Sequence, residues 1–128
     1  MPDFTFTAPS FFESDAVPSE TLRGILHDAP GMADHLAKIE KFTVWLKTEM
    51  NKAGIVAKGP FVDESCWIIE APSNPGFVCC LVSGPDGGSD NFNVLVAEYA
   101  GATGEVAVAV EAILRTASEI VNLKKRSE

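Results

Sequence analysis

The chain has two histidines, His27 and His35, and each lies beside an aspartate, Asp28 or Asp34. Two imidazoles with neighbouring carboxylates could bind zinc or act as an acid and a base. Their spacing matches no common zinc-ligand signature, and His35 lies at the edge of an apolar helical stripe. We therefore predict that both are packed or helix-capping histidines and that the chain has no metal site.

Cysteines are the next candidates for chemistry, because a thiolate is a nucleophile. The chain has three, Cys66, Cys79 and Cys80, and the last two lie in an apolar run that offers no nearby base. An apolar environment raises a thiol pKa, and an odd number of cysteines argues against a disulfide framework. With no secretory signal at the N-terminus, we expect structural thiols in a reducing cytoplasm.

Two glycine-rich segments could in principle bind ions. Residues 84–90 are acidic enough to suggest calcium, but they lack the alternating oxygen ligands and final glutamate of an EF-hand loop. Residues 101–105 precede a predicted helix, as in a phosphate-binding turn, but they lack lysine and place Glu105 where a phosphate would bind. The sequence therefore predicts no catalytic residue and no cofactor, and we expect a protein that is not an enzyme.

Size and charge narrow the choice of partner. The 128 residues are one domain's worth, and their net charge is −8. An acidic chain repels phosphate backbones, which disfavours direct nucleic-acid binding, and no apolar run is long enough to span a membrane. The charge is uneven, with five lysines between residues 38 and 58. These features favour another protein as the partner, and an acidic surface could steer a basic one.

Apolar periodicity predicts the helices. A stripe with a 3.6-residue period predicts a helix over residues 32–53, and a second stripe predicts a C-terminal helix over residues 104–124. Pro18 and Ser19 indicate the start of a short helix. Before it, residues 1–18 form an aromatic N-terminal arm in which Phe4-Thr5-Phe6-Thr7 alternates like a short strand.

Short apolar runs separated by turn residues predict the strands. They cover residues 66–69, 76–82 and 92–97, and residues 55–62 add a weaker edge strand. The turns between them are too short for a crossover helix, so the strands should be antiparallel and follow sequence order. We predict a single α+β domain: an antiparallel three- to four-stranded β-meander with a helical N-terminal third and a C-terminal helix packed on the sheet.

The predicted sheet is apolar on both faces. Alternation places Phe77, Cys79 and Leu81 on one side of a strand and Val78 and Val82 on the other. An antiparallel sheet with helices on one face normally presents a polar second face to water. The second face here needs cover from the N-terminal arm, from a helix or from a second molecule, and we favour a homodimer.

Six residues are candidates for partner binding. Trp45 lies off the apolar stripe of its helix, on a flank with three lysines, and tryptophan is enriched at interfaces. The complete set is Trp45, Lys38, Lys41, Lys52, Trp67 and Tyr99. A structural interpretation remains open, in which the N-terminal arm folds over Trp45 and Trp67 belongs to the core.

The favoured function is a non-enzymatic protein–protein interaction module: a small acidic adaptor, a chaperone, or an inhibitor of the immunity type. The alternative is a small-molecule-binding domain or minor enzyme with a pocket between sheet and helices. A third hypothesis is an acidic mimic of nucleic acid that blocks a nucleic-acid-binding protein. Stabilisation by a metabolite would favour the second hypothesis, and co-purification with a macromolecule would favour the first.

Overall fold

The computed structural model describes residues 2–12, 30–63, 66–73, 75–84 and 91–126. The short helix predicted after Pro18 lies outside the described residues, and so do His27 and the side chain of His35. Among the described helices, none combines the length and the apolar character needed to cross a membrane.

The chain combines helices with one antiparallel sheet, as the sequence predicts. The strands are β1 (Asp3–Thr7), β2 (Lys58–Asp63), β3 (Cys66–Pro72), β4 (Phe77–Ser83), β5 (Asn91–Tyr99) and β6 (Val121–Arg126). The helices are α1 (Pro9–Phe12), α2 (Pro30–Lys52) and α3 (Glu105–Thr116). The sheet order is β2-β3-β4-β5-β1-β6. The meander is present as β2 to β5, but the prediction of three to four strands is wrong, because the described residues form a sheet of six strands.

The N-terminal arm is the first correction. Residues 3–7 form β1, which pairs with β5 on one side and β6 on the other. Phe4 and Phe6 point into the core at 0% and 1% exposure, while Thr5 between them points to the opposite face. Residues 3–7 are therefore an internal strand of the sheet. The N-terminal third, which the sequence predicts to be helical, begins with this strand among its described residues.

The C-terminal helix is the second correction, because α3 ends at Thr116 and the last described residues form β6. Lys125 Nζ donates to Glu111 at 2.7 Å and Arg126 donates to Asp3 at 3.0 Å. These basic side chains therefore pair with acidic partners across the fold, instead of stabilising a helix end. The hydrogen bonds from Lys125 and Arg115 also lower the pKa of the Glu111 carboxyl group.

Helix α2 matches its predicted range closely and covers one face of the sheet. Its stripe residues are fully buried: Leu36, Ile39, Phe42, Leu46 and Met50. Phe42 lies 5.3 Å from Phe6 and 5.1 Å from Phe92 between ring centroids, which ties α2 to β1 and β5. Each such buried side chain contributes roughly 1.5–3 kcal/mol of transfer free energy.

Trp67 lies in this core and is the third correction. It is 1% exposed, and its indole N–H donates to the carbonyl of Leu36 at 3.0 Å. A side chain that packs under α2 in this way cannot contact a partner, so Trp67 is reassigned from the candidate surface to the core.

Both long helices lie on the same side of the sheet. Residues of α3, including Val110 and Leu114, belong to the core cluster that also contains Trp67 and Phe42. Helix α1 joins this side through Phe11, whose ring lies 5.3 Å from Phe42. We call this side the helical face and the opposite side the open face.

Candidate protein-interaction face

The register of β2 to β5 assembles the open face. Ile68 of β3 lies opposite Phe61 of β2 and Leu81 of β4, and Leu81 lies opposite Leu95 of β5. Two further cross-strand pairs, Cys79 with Ala97 and Phe77 with Tyr99, extend the same surface. We call these eight residues the apolar strip: Phe61, Ile68, Phe77, Cys79, Leu81, Leu95, Ala97 and Tyr99.

Seven of the eight strip residues are partly or strongly exposed, the exception being Ala97 at 2%, and the three aromatic side chains are the most exposed. Phe61 is 50% exposed, Phe77 is 40% and Tyr99 is 45%. The Phe77 and Tyr99 rings stack with centroids 5.1 Å apart. None of the strip residues belongs to the core cluster on the helical face. Within the described ranges, neither α2 nor α3 therefore covers this surface.

Polar side chains border the strip on the β1–β6 side. The Asp3 carboxylate accepts hydrogen bonds from the Asn93 amide and from Arg126 at 3.0 Å, and Asn93 also donates to Thr5 Oγ1 at 3.2 Å. Lys124 lies opposite Thr5 in the register. A shallow depression of roughly 600 Å³ lies at this end of the face, lined by Thr5, Thr7, Pro9, Asn91, Val121, Asn122 and Lys124.

The two edges of the sheet are poorly suited to adding another strand. At the β2 edge, Gly59 has φ +117° and precedes Pro60, and the pairing with β3 is irregular there. At the other edge, β6 carries consecutive basic residues and a bulge at Asn122, where φ is +57°. Proline, bulges and lysines all oppose edge-to-edge pairing. Strand addition at either edge is therefore disfavoured.

The thiols of Cys79 and Cys80 are poor nucleophiles in this environment. Burial raises the pKa of Cys80 to about 12, and its side chain is 0% exposed on the helical face. Burial, with a smaller contribution from the Glu70 carboxylate, also raises the pKa of Cys79 on the apolar strip. Both groups are therefore protonated at neutral pH, as the apolar strand context predicts. Within the described ranges, no three His, Cys, Asp or Glu residues are grouped to hold a metal ion.

Trp45 and its lysines lie on the opposite side of the molecule from Tyr99. The half-buried Trp45 ring lies 5.8 Å from Phe11 and 5.5 Å from Phe42, so the segment after β1 does pack against it. A depression of roughly 300 Å³ beside it is lined by Trp45, Glu49, Ile113, Thr116, Ala117, Ser118 and Glu119. Two acidic residues, Glu49 and Glu119, therefore line the depression beside this ring.

The three predicted lysines are spread along α2. Lys38 is half-buried, whereas Lys41 and Lys52 are exposed. Lys52 lies 3.6 Å from Glu49. Of the six predicted partner-binding residues, Tyr99 alone lies on the apolar strip, and Trp45 with its lysines forms a separate helical surface.

Most strip residues were not among the predicted site residues. The alternation in β4 and β5 indicates an apolar second face, which is the signal that identifies Phe77, Leu81 and Leu95. Phe61 and Ile68 join them only through strand register, which the sequence does not specify.

Comparison with protein-family models, with curated proteins and with solved structures finds no match to this chain.

Proposed function

We propose that the protein is a non-enzymatic interaction module that binds another protein through the apolar strip. The observation that carries this proposal is a continuous row of apolar side chains across four strands, with Phe61, Phe77 and Tyr99 between 40% and 50% exposed. Scattered exposed apolar residues are ordinary, but a contiguous exposed surface rimmed by polar groups is typical of a binding site.

The composition of the strip also supports protein binding. Aromatic residues are enriched at protein interfaces and charged ones are depleted at their centres. The Phe77–Tyr99 stack offers a large rigid contact surface with a polar hydroxyl at one end. Leu81 lies between Ile68 and Leu95 at the middle of the strip, where a contact would exclude water most completely.

The two other hypotheses have less support. A small-molecule site between sheet and helices would need space there, but side chains on both sides of that boundary, such as Phe42, Ile69 and Val96, are 0% exposed. A nucleic-acid mimic would need an acidic surface, and the open face instead carries Lys124 and Arg126 beside its apolar centre.

Substitution at the centre of the strip tests the proposal. A tagged copy in its native cells should capture a protein partner after cross-linking, and Leu81→Lys should abolish that capture because it places a charge in the contact. Val108→Lys is the matched control, since Val108 is 70% exposed on α3, away from the open face. Equal capture by the wild-type chain and by both variants would contradict the proposal, as would no specific partner at all.

A further inference from the structure

We infer that the occupant of the apolar strip is a second copy of this chain, in a two-fold symmetric dimer with sheet packed on sheet. This inference rests on the proposed function and names the partner of the same surface. A two-fold interface uses one surface patch on both subunits, so that patch must be complementary to itself. Charge, area and chain topology each bear on whether the open face meets that requirement.

Charge favours this face over the rest of the molecule. Two copies of a chain with net charge −8 repel each other. On the open face, however, the described charged side chains nearly balance. The basic ones are Lys58, Lys124 and Arg126, and the acidic ones are Asp3 and Glu70. The two carboxylates that adjoin the strip each have a basic neighbour, because Glu70 lies opposite Lys58 and Asp3 accepts a hydrogen bond from Arg126. The apolar centres can therefore meet without burying an unpaired charge.

The size of the face fits a stable dimer of ordinary affinity. Six strands about 4.8 Å apart and averaging roughly 23 Å in length give a flat face of roughly 650 Å² per protomer, with the charged margins included. A standard protein interface buries about 800 Å² per partner, and side-chain relief raises the accessible area above the flat value. Homodimer interfaces are also more apolar than transient ones, which agrees with the aliphatic and aromatic strip.

Chain topology determines how two copies can meet. Because both edges of the sheet oppose strand addition, two copies should pack face to face instead of continuing one sheet across their edges. The dimer then has four layers, with the helices outside and two sheets about 10 Å apart at the centre.

Sedimentation equilibrium of the purified protein at micromolar concentration tests the inference. The wild-type protein should have twice the 13.7 kDa mass of one chain. Leu81→Lys should weaken self-association by roughly 100-fold or more, because each subunit would bury an unpaired charge. Tyr99→Lys should weaken it in the same direction, and the 45% exposure of Tyr99 makes this variant tolerable to the fold if Leu81→Lys fails to fold. Val108→Lys should dimerise as the wild type does.

A wild-type monomer across the concentration range overturns the dimer. If that monomer still captures a different protein in cells, and Leu81→Lys abolishes the capture, then only the dimer fails and the proposed function stands. If no capture depends on the face, both fail. A dimer that survives the folded Lys variants at Leu81 and Tyr99 has its contact elsewhere, and this result also overturns the inference.

Discussion

Deleting residues 2–8 should unfold the protein. This segment contains β1, which joins β5 to β6, so its removal leaves β6 without a neighbour and β5 paired with β4 alone. Phe4 and Phe6 are 0% and 1% exposed, and Ala8 is fully buried as well. Truncation of one buried phenylalanine to alanine costs about 3–5 kcal/mol. Two such losses, together with the lost strand pairing, are comparable to the whole free energy of unfolding of a typical domain, which is roughly 5–15 kcal/mol.

Urea unfolding followed by circular dichroism measures this effect. The shortened chain should show no cooperative transition, and the single change Phe6→Ala should lower the free energy of unfolding by about 3–5 kcal/mol. Thr5→Ser is the control, because Thr5 lies between the two phenylalanines in β1 but points to the open face, and serine keeps the hydroxyl that accepts from Asn93. We expect it to change stability by less than about 1 kcal/mol. A truncated chain that unfolds cooperatively at the wild-type urea midpoint would show that β1 is a dispensable arm.

Trp67→Ala should produce the second large loss, about 3–5 kcal/mol in the free energy of unfolding. The indole is 1% exposed under α2, and its N–H satisfies the Leu36 carbonyl at 3.0 Å. The substitution therefore leaves a cavity and also removes the indole's hydrogen bond to the Leu36 carbonyl. Trp67→Phe keeps most of the apolar volume and removes the donor, so we expect an intermediate loss of about 1–3 kcal/mol.

Chemical denaturation of the two variants separates these contributions. Val108→Ala provides the comparison, because Val108 is 70% exposed and its change should stay within about 0.5 kcal/mol. If Trp67→Ala leaves stability unchanged but abolishes partner binding, Trp67 is a surface residue after all. The placement of β3 beneath α2 would then be wrong.

The elements that depend on local sequence pattern could be predicted. The 3.6-residue stripe locates α2 within about two residues. Turn clusters and apolar runs locate β3, β4 and β5. Their antiparallel meander follows from the short connections, which cannot hold the crossover helix that parallel strands need.

The strands at the two ends of the chain form by pairing with residues that are distant in the sequence. Local sequence pattern therefore does not predict their place in the sheet. β1 pairs with residues about 90 positions away, and its alternating phenylalanines cannot indicate which strands lie beside it. For β6, Ile120 and Val121 continue the apolar period of α3, and the basic residues that follow resemble a helix C-terminus. In the structure, the backbone of these residues forms hydrogen bonds with β1 instead of continuing the helix.

The sequence predicts that an apolar sheet face exists, but not which residues form it. Alternation in β4 and β5 indicates two apolar faces, yet it cannot decide which face the helices cover. Trp67 shows this limit, since a strand tryptophan suits either face until α2 is placed over one of them. Phe61 reaches the strip only through the irregular pairing at Gly59, where an added Cβ would lie 2.7 Å from the Ile68 carbonyl oxygen.

Hydroxyl-radical footprinting tests the central claim, that the apolar strip is buried against protein, most directly. The labelling of each side chain is compared between the purified protein, diluted until it sediments as a monomer, and the protein in its native cells. We predict that Phe77, Leu81 and Tyr99 become several-fold less reactive in the cell, because a partner excludes water from the open face. Val56 and Val108, which are 64% and 70% exposed, should keep their relative reactivity. Equal labelling of the strip residues in both conditions would contradict the account.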